Sequence, residues 1–517
     1  MTSTLRRTWP WWLVGLLLLA RVTLSAHQVE RPGLQYDELL FVNAATERQH
    51  GLFMFKELAG VPVMVFPYIG ALKSWLLAPV FSLFHVRPTT IRMPPVLIAT
   101  AGMGALVAGV RSLLGWRVAA LVLAATILQA SVFWLTRDDV GPSAIEFACK
   151  CAAIGCAARL ALTGRSRWIF ALVAVLALGT FNKLNFIWTV NGFVLAGAVA
   201  VVWHRRALFD RHRRQLVHAG GALAVLYAAF GWYYLHYDIG SYDKVAHTGS
   251  LLSYTWPRFE RGTNAALSGS AFHELAIGPA QPQTAVTLAF LALAVAGAAL
   301  ALLRPATRNW FVACSAVVAL AVAVQTLITP TATAPWHYVG ILPFATIAAA
   351  YGVEAGAATL LRGDGHAVTV AVAVAAALAL VHDGAQYRRD ARALSHAQTT
   401  TLWTTEIYPL AGWANRQPGT IVTGDWGMYN QIWALEPGVR HRLLDVAFAA
   451  RAGDTTTIRN ALSAAPRPVN VLVHGPSNEA FPGSRAAVLR ALGPRPHLAT
   501  AFSAPRGGTM YEVYGYR

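Results

Sequence analysis

The chain has 517 residues, of which 56% are hydrophobic and only 13% charged, and its formal net charge is +18. Apolar runs of about 20 residues recur through its first three quarters, so the composition excludes a soluble globular protein and indicates an integral membrane protein. The positive charge does not indicate nucleic-acid binding, because the basic residues lie in short loops between the apolar runs. The cysteines all fall inside such runs, which favours apolar packing over a disulfide framework or a metal site: Cys149, Cys151, Cys156 and Cys314.

The first apolar run follows Arg6-Arg7 and extends to about Ser25. Two interpretations are open. Leu24-Ser25-Ala26 would serve as a cleavage site for a signal peptide, whereas the length of the run and the many later runs favour an uncleaved first span. In either case the chain emerges on the far side of the membrane after residue 26.

Ten later runs predict spanning helices, and one further apolar stretch, residues 61–85, is ambiguous. The predicted spans lie near residues 91–113, 117–135, 144–162, 167–182, 186–203, 216–236, 284–303, 309–329, 338–361 and 367–382. If residues 61–85 also crossed, most of the basic loops would lie outside; if they do not cross, every basic loop lies inside, as the positive-inside rule requires. Those loops carry Arg111 and Arg117, Arg165 and Arg167, Arg205, Arg206, Arg211, Arg213 and Arg214, Arg304 and Arg308, and Arg362.

The sidedness of the loops therefore favours about eleven transmembrane helices. It also predicts that residues 61–85 form a periplasmic-side helix on or dipping into the membrane, broken by Pro62, Pro67 and Pro79. The outer face then carries residues 27–90, 237–283 and 330–337, the Asp138-Asp139 loop and the C-terminal region from about residue 383.

The C-terminal region, from about residue 383 onward, has a different sequence pattern from the rest of the chain. It lacks long apolar runs and alternates short β-like stretches with segments of helical pattern such as Ser484–Leu492. The β-like stretches are Thr420–Thr423, Val469–His474 and Met510–Tyr516. The predicted fold class is thus a mainly α, polytopic membrane protein: a transmembrane domain over residues 1–382, with residues 27–90 as its first periplasmic loop and juxtamembrane helices, and a periplasmic α/β domain over residues 383–517.

The acidic pair Asp37-Glu38 follows the first span, at the start of a predicted amphipathic helix that begins near Tyr36. Desolvation next to apolar surface raises the basicity of a carboxylate unless a cation holds it ionised. A base at the edge of the bilayer suits deprotonation of a hydroxyl or amine that attacks a lipid-borne electrophile. The alternative is that Asp37 caps the helix that follows it.

A second acidic pair, Asp138-Asp139, ends a later predicted span and lies on the same face as the first pair. Asp139 or Ser143 could cap the next helix. Alternatively, these carboxylates could orient a basic residue, help to bind an acceptor, or hold a divalent metal together with Asp37. No histidine stands at ligand spacing beside them, so a metal is not required by the pattern.

Four cationic or titratable residues near the outer face are candidates for binding a phosphate: Lys183, Arg92, Lys73 and His337. A lysine in an apolar context is costly unless it is paired, which favours a function, although snorkelling to lipid headgroups is the alternative for Lys183. His337 lies in an aromatic stretch and could bind phosphate, shuttle a proton or simply anchor the helix at the interface.

The order of these motifs resembles the GT-C superfamily of glycosyltransferases, and most of all its family 39 type, which includes protein O-mannosyltransferases and bacterial aminoarabinose transferases. The resemblance covers residues 1–210 by motif and the later spans by architecture only. The matching stretches are Tyr36-Asp37-Glu38, Pro67-Tyr68-Ile69-Gly70-Ala71-Leu72-Lys73, Arg92-Met93-Pro94-Pro95 and Asp138-Asp139.

The resemblance implies a polyprenyl-phosphate sugar donor and an inverting transfer that requires no cofactor. It implies Asp37 as catalytic base supported by Glu38, Asp138 or Asp139 as the second-loop acid, and Lys183 or Arg92 at the donor phosphate. Tyr36 and Tyr68 lie in the matching stretches and are assigned to substrate binding. The implied location is the bacterial inner membrane, with the acceptor on the periplasmic side.

Family members often carry a Pro-Pro dipeptide before this membrane helix. This chain departs from that pattern, because Pro67 is followed by Tyr68. That departure leaves the acceptor class open, and the α/β tail makes a protein acceptor less favoured. The alternatives are an oligosaccharide or O-antigen ligase with a diphosphate donor, a lipid or sugar transporter, and an exported scaffold. A transporter should carry ionisable groups near the midplane of matched halves, whereas the acids here cluster at one face.

Overall fold

The structure is a computed structural model that describes most of the chain. The described residues are 3–46, 56–203, 206–237, 250–281, 283–303, 307–330, 332, 334–396, 399–503 and 507–516. Arg205 and Arg304, which belong to the basic loops used to predict the topology, lie outside the described residues.

The chain up to residue 395 is mainly helical. Its α-helices are α1 Ser3–Ala26, α2 Tyr36–Thr46, α3 Leu72–Leu83, α4 Pro88–Leu114, α5 Trp116–Ile127, α6 Ala130–Arg137, α7 Ser143–Thr163, α8 Arg167–Asn182, α9 Ile187–Trp203, α10 Arg206–His236, α11 Leu251–Ser268, α12 Thr284–Leu303, α13 Thr307–Ile328, α14 Pro335–Val339, α15 Leu342–Leu360 and α16 Gly365–Ser395. A 3₁₀ turn, Leu184–Phe186, separates α8 from α9, and a π-helical turn, His273–Ile277, follows α11.

Every predicted span falls on helical sequence, but the span predicted at 117–135 is divided between α5 and α6, and the span predicted at 338–361 begins in α14 and continues as α15. Six described helices are long and apolar enough to cross a membrane, and a seventh span results if α5 and α6, bent by 59°, are counted as one. The six are Pro88–Leu114, Leu184–Val202, His212–His236, Thr284–Leu303, Trp310–Ile328 and Gly365–Ser395. This number is smaller than the predicted eleven, because the remaining helices are too short or carry too much polar or charged sequence to meet the same test.

Residues 61–85 are not the single broken helix that their apolar composition predicts. Residues 56–70 form a small antiparallel sheet of β1 Lys56–Leu58, β2 Val61–Phe66 and β3 Ile69–Gly70, and only α3 is helical. Val61, Val63 and Val65 are β-branched, and Pro62 and Pro67 oppose a helix on either side of them. The prediction was therefore wrong for the first half of the stretch.

Helix α2 is not amphipathic, contrary to the prediction. Seven consecutive residues, Glu38 to Ala44, are buried, so the helix is covered on every side and does not lie on a membrane surface. Leu39, Leu40 and Phe41 share one apolar core with residues of the C-terminal domain. The sequence pattern did not reveal this second covering surface because it belongs to residues almost 400 positions away.

The C-terminal region forms a five-stranded sheet in the order β5-β4-β6-β8-β7. Its strands are β4 Thr420–Thr423, β5 Leu443–Asp445, β6 Val469–His474, β7 His497–Ser503 and β8 Thr509–Tyr516, and its helices are α17 Ile407–Arg416, α18 Met428–Leu435, α19 Ala447–Arg451, α20 Thr455–Ala464 and α21 Ser484–Leu492. Strands β5, β4 and β6 are parallel, whereas β8 and β7 are antiparallel. The three predicted strands and the predicted helix are all present.

The sheet domain rests on the segment that carries α2. The Asn43 side chain donates to the Asn430 carbonyl (3.1 Å), and Gln431 donates to the Leu34 carbonyl (2.7 Å). Gly33 passes so close to the Thr404 carbonyl that a side chain at position 33 would collide with it. Helix α16 runs continuously to Ser395, so the boundary predicted after residue 382 falls inside a helix.

Candidate active site

A cavity of about 470 Å³ lies between the start of α2, the β2–β3 turn and the ends of several membrane helices. Asp37 is on its wall, together with the Lys183 and His337 side chains, which come from distant parts of the sequence. The other lining residues are Phe66, Tyr68, Ile69, Gly141, Leu184, Asn185, Ile187, Trp188, Phe230, Tyr234, Thr329, Ala332, Ala334 and Trp336. An acid, a lysine and an imidazole therefore face one space bounded mainly by aromatic and aliphatic groups.

The first turn of α2 separates Asp37 from Glu38. The Gln35 side chain accepts a hydrogen bond from the Asp37 backbone N–H (2.5 Å), and the Glu38 carboxylate accepts one from the Gln35 N–H (3.3 Å). This reciprocal pair resembles a capping box, with Gln35 as the cap and Glu38 three residues later, although the Gln35 side chain accepts from the second helical N–H and not from the third. The capping role that the sequence left open for Asp37 is thus taken by Gln35, and the Asp37 carboxylate faces the cavity.

Burial raises the pKa of Asp37 to about 6, although the Lys183 ammonium, the Gln35 hydrogen bond and Lys73 act in the opposite direction. A carboxyl group with that pKa is mostly ionised at neutral pH and is basic enough to accept a proton. These are the properties required of a general base.

Lys183 is positioned by the short sheet and by the break between α8 and α9. Its extended backbone bridges to Ile69, and the Leu184 N–H donates to the Tyr68 carbonyl (3.0 Å). Gly70 permits this approach, because a Cβ at that position would lie 2.0 Å from the Phe181 carbonyl oxygen. The β2–β3 turn and the lysine therefore form one local unit.

The Lys183 ammonium is buried, with 2% of the residue exposed. Within the part of the chain that the structure describes, no group accepts a hydrogen bond from its Nζ. Nζ lies 5.3 Å from the centre of the Trp336 ring, and burial lowers the pKa of Lys183 to about 8. A buried ammonium that lines a cavity without an acceptor is suited to bind an anion there.

His337 is placed by α14 and lies between two indole rings, those of Trp188 and Trp336, each 6.0 Å away between ring centres. Burial, together with the positive charges of Lys183 and Lys150, lowers the pKa of His337 well below its ordinary value. The imidazole is consequently neutral at pH 7, so it can offer a hydrogen bond but not a positive charge.

Glu38, Arg92 and Asp138 form a buried ion-pair network away from the cavity wall. The Arg92 guanidinium donates to both Glu38 oxygens (2.7 and 2.9 Å) and lies 3.4 Å from Asp138. It also donates to the carbonyls of Val29 and Pro32. Arg92 is fully buried, so its geometry supports a role in holding α2 against α4 and opposes the predicted role at a donor phosphate.

Both carboxylates of the second acidic pair, Asp138 and Asp139, form ion pairs with basic side chains. Arg137 donates to the Asp138 carboxylate (2.8 Å), while Lys73 lies 2.9 Å from the Asp139 carboxylate and donates to the Asp139 carbonyl. Asp139 in addition accepts from the Ala144 N–H (2.6 Å), which caps α7. Lys73 is thus paired with an acid, and its geometry does not offer it to a phosphate in the cavity.

The residues do not fit a metal site. Asp138 and Asp139 already bind cationic side chains, and Asp37 faces a different space. In the described ranges no group of three or more His, Cys, Asp and Glu side chains is placed to hold an ion. The predicted absence of a cofactor requirement stays a prediction.

Tyr36 and Tyr68 differ in position. Tyr68 lines the cavity, whereas the Tyr36 ring packs against Trp426 of the sheet domain, 4.8 Å between ring centres. Two further groups at or near the site were not predicted: the indole rings of Trp188 and Trp336 on the cavity wall, and the Glu146–Lys150 ion pair (2.6 Å) inside α7. The four-residue spacing of two opposite charges within an apolar run was a signal for that pair.

Comparisons with known proteins agree with this architecture. The family model described as dolichyl-phosphate-mannose-protein mannosyltransferase matches residues 70–234, which include α3, the second acidic pair and Lys183. No curated protein is similar enough in sequence to match the chain.

Solved structures share the fold at low sequence identity. ArnT from Cupriavidus metallidurans in the apo state has a TM-score of 0.58 and 13% identity, with 98% of each chain covered. ArnT bound to undecaprenyl phosphate has a TM-score of 0.58 and 14% identity, covering 99% of this chain and 98% of that one. The apo oligosaccharyltransferase from Archaeoglobus fulgidus has a TM-score of 0.53 and 12% identity, over 99% of this chain and 75% of that chain.

The chain thus shares its fold with these glycosyltransferase structures, and residues 70–234 are similar to the mannosyltransferase family, which agrees with the predicted resemblance to the GT-C superfamily and its family 39 type. Its multi-pass character and its small C-terminal sheet domain agree with that class.

Proposed function

We propose that the protein transfers a sugar from a polyprenyl-phosphate donor to an acceptor on the periplasmic side of a bacterial inner membrane. The observation that carries the proposal is the cavity that Asp37 and Lys183 share, in which a basic carboxylate faces the same space as a buried ammonium with no described hydrogen-bond acceptor. The structures of similar fold include ArnT bound to undecaprenyl phosphate and an archaeal oligosaccharyltransferase in complex with dolichol-phosphate, which supports a lipid-linked donor.

The proposed reaction is a one-step displacement at the anomeric carbon. Asp37 accepts the proton of the acceptor hydroxyl or amine as the acceptor atom forms its bond to that carbon. The bond from the carbon to the donor phosphate oxygen breaks, and the polyprenyl phosphate leaves with the electron pair. Attack from the side opposite the leaving group inverts the configuration, and no carboxylate nucleophile is needed.

Lys183 stabilises the phosphate as its negative charge grows. Its ammonium lies in a site lined by Trp336 and other apolar groups, where a charge interaction is stronger than in water. A hydrogen bond to the phosphate also provides the acceptor that Nζ lacks. His337 assists as a neutral hydrogen-bonding group rather than as a second cation.

The buried charges near the cavity have a supporting role in this proposal. The Glu38–Arg92 pair fixes the first turn of α2, from which Asp37 projects, and the Lys73–Asp139 pair fixes the loop that leads to Gly141 on the cavity wall. A Cβ at Gly141 would lie 3.5 Å from the Lys183 Nζ, so this loop helps to confine the ammonium. Positioning of this kind is a large part of catalysis when the leaving group is already good.

The test is sugar transfer by the purified full-length protein in lipid nanodiscs. A panel of radiolabelled polyprenyl-phosphate sugars is supplied with an envelope extract as the source of acceptor, and wild type is compared with Asp37→Asn. We expect the wild type to transfer label from at least one donor, and Asp37→Asn to be slower by about 100-fold or more. The matched control is Glu57→Gln, which neutralises an exposed carboxylate of β1 and should leave the rate unchanged.

Two outcomes would contradict the proposal. Transfer at the wild-type rate by a folded Asp37→Asn variant would exclude Asp37 as the base. Transfer only from polyprenyl-diphosphate sugars would replace the donor class with that of an oligosaccharide ligase.

A further inference from the structure

A second concave surface, which we call the arginine basin, lies at the end of α16 and is separate from the cavity that holds Asp37. It has a volume of about 470 Å³. Five basic side chains line it, and no acidic side chain does: the lining residues are His273, Ala385, Arg388, Arg389, Arg392, Ala393 and His396.

The length of α16 places the basin at the surface of the membrane. The helix has 31 residues and is therefore about 46 Å long, whereas the hydrocarbon core of a bilayer is about 30 Å thick. The apolar part of the helix is its first half, so its last three turns, which carry the arginines, extend beyond the hydrocarbon to the depth of the lipid headgroups.

The basin lies on the same face of the membrane as the proposed active site. Arg31, which belongs to the segment between α1 and α2, donates to the carbonyls of Leu394 and Ser395 at the end of α16. Two residues later, the Gly33 N–H donates to the Trp403 carbonyl (2.8 Å), and the chain then enters α2 at Tyr36. The end of α16 and the first turn of α2 are therefore held together by direct contacts.

The arrangement of the basic residues is unfavourable without an anion. Arg388 and Arg392 are four residues apart, and His396 follows four residues later, so the three side chains stack along one side of α16, where the two guanidinium charges repel each other. In the described part of the chain, neither Arg388 nor Arg392 forms an ion pair. Favourable interaction with the helix dipole is confined to the last turn and does not account for Arg388 and Arg389.

The opposite wall is built by the π-helical turn that begins at His273. Asp390 is buried and lies 2.8 Å from His273 Nδ1, so this carboxylate is engaged by the imidazole and is not among the groups that line the basin. Asp390 contacts the Nδ1 atom of His273 and does not engage the other ring nitrogen, Nε2. Single π-helical turns of this kind are frequent at functional sites.

We propose that the arginine basin binds the phosphate of an anionic lipid headgroup on the face of the membrane where the active site lies. Guanidinium groups are the side chains best suited to bind phosphate oxygens with paired hydrogen bonds, and the headgroup depth of the last turns of α16 brings such phosphates to them. The site does not depend on the proposed transfer reaction, because none of its residues lines the cavity with Asp37 and Lys183.

The test measures binding of dihexanoyl phosphatidic acid to the full-length protein in detergent by titration calorimetry. Inorganic phosphate and dihexanoyl phosphatidylcholine are measured in parallel. The test variant is Arg388→Gln with Arg392→Gln, and the matched control is Arg490→Gln with Arg495→Gln, which removes two exposed arginines from the sheet domain. Lys183→Gln is included to separate this site from the cavity.

We expect the test variant to bind phosphatidic acid at least tenfold more weakly than wild type, with less than a twofold change in the control. Lys183→Gln should keep the basin site, and phosphatidylcholine should bind much more weakly than phosphatidic acid. Inorganic phosphate that binds as tightly as the lipid would support the anion site and identify a soluble phosphate as its ligand. An equal loss in test and control variants, or no loss in either, would overturn the proposal.

Both arginines of the test variant are exposed, so it should fold, and its unfolding temperature should equal or exceed that of wild type because a repulsive pair is removed. Loss of lipid binding with an unchanged unfolding temperature supports a binding site. Loss of lipid binding only together with a lowered unfolding temperature would mean that the arginines stabilise the helix, and would overturn the proposal.

Discussion

Two neighbouring regions of the protein use charged residues in opposite ways. In the network of Glu38, Arg92 and Asp138, every charge is buried against an opposite charge or a backbone carbonyl. In the cavity, Asp37 and Lys183 share a space without being hydrogen-bonded to each other. The contrast is sharpest between Asp37 and Glu38, which are adjacent in sequence and lie in the same helical turn.

The difference separates structural from chemical roles. A buried charge that is fully paired contributes little beyond the geometry it enforces, but it is costly to leave alone. A charge without a partner at the wall of a cavity retains the capacity to bind a substrate or to exchange a proton. The two regions should therefore respond differently to substitution: one in stability, the other in activity.

The largest effect is expected from Arg92→Met, which leaves the Glu38 carboxylate buried without the cation that binds it. We expect a loss of about 3–5 kcal/mol in the free energy of unfolding. The measurement is unfolding in detergent, with Arg159→Met as the control, because Arg159 is exposed on α7. A stable Arg92→Met variant with weakened donor binding would instead make Arg92 a phosphate ligand.

The next effect is expected in the cavity, from Lys183→Gln. This change removes the charge-assisted hydrogen bond that we propose Lys183 donates to the donor phosphate, which corresponds to about 1.5–3 kcal/mol and to a donor affinity lower by about tenfold to 100-fold. The unfolding temperature should not fall, because Lys183 has no hydrogen-bond acceptor to lose among the described residues. Donor affinity is measured with the isolated polyprenyl phosphate. Unchanged affinity would assign Lys183 to an interfacial anchoring role.

The pH dependence of transfer should show two limbs. Burial raises the pKa of Asp37 to about 6, so the ionised fraction of Asp37, and with it the transfer rate, should increase as the pH rises through 6. Burial lowers the pKa of Lys183 to about 8, so Lys183 loses its positive charge, and the transfer rate should fall, as the pH rises through 8. Lys183→Arg should keep the acid limb and remove the alkaline limb, because arginine stays protonated. An alkaline limb that persists at pH 8 in Lys183→Arg would assign it to another group.

The smallest effect is expected from His337→Asn. The imidazole is neutral at pH 7 because burial and two lysines lower its pKa, so the substitution removes one neutral hydrogen bond. Donor affinity should fall by only about threefold to tenfold, and the positions of both pH limbs should not move. A fall of 100-fold or more would show that His337 carries charge or transfers a proton.

Much of the architecture could be predicted from the order of residues. Apolar runs of spanning length become helices almost wherever they occur, because the backbone must satisfy its own hydrogen bonds within lipid. The strands of the C-terminal sheet were found for a similar reason, since short β-branched segments alternating with helical patterns have few other arrangements. The hairpin of residues 61–70 was missed because its apolar composition resembles that of a membrane helix.

The sequence predicted which charged residues lie near the candidate site, but not which of them pair with each other. The sequence placed Asp37, Glu38, Asp138, Asp139, Arg92, Lys73 and Lys183 near one membrane face, but it could not assign partners among them. Four acids and three bases can be paired in many ways, and the choice depends on distances between side chains from different helices.

The sequence by itself determined that this is a polytopic membrane protein with acids and bases gathered at one face and a small α/β domain at its end, because composition and periodicity are local properties of a chain. Only the tertiary structure decided that Arg92 neutralises Glu38, that Lys73 neutralises Asp139, and that Asp37 and Lys183 remain to face one cavity. Ion pairing depends on a few ångströms of separation, and the paired residues, which are 54 and 66 positions apart in the chain, reach that separation only when the helices pack.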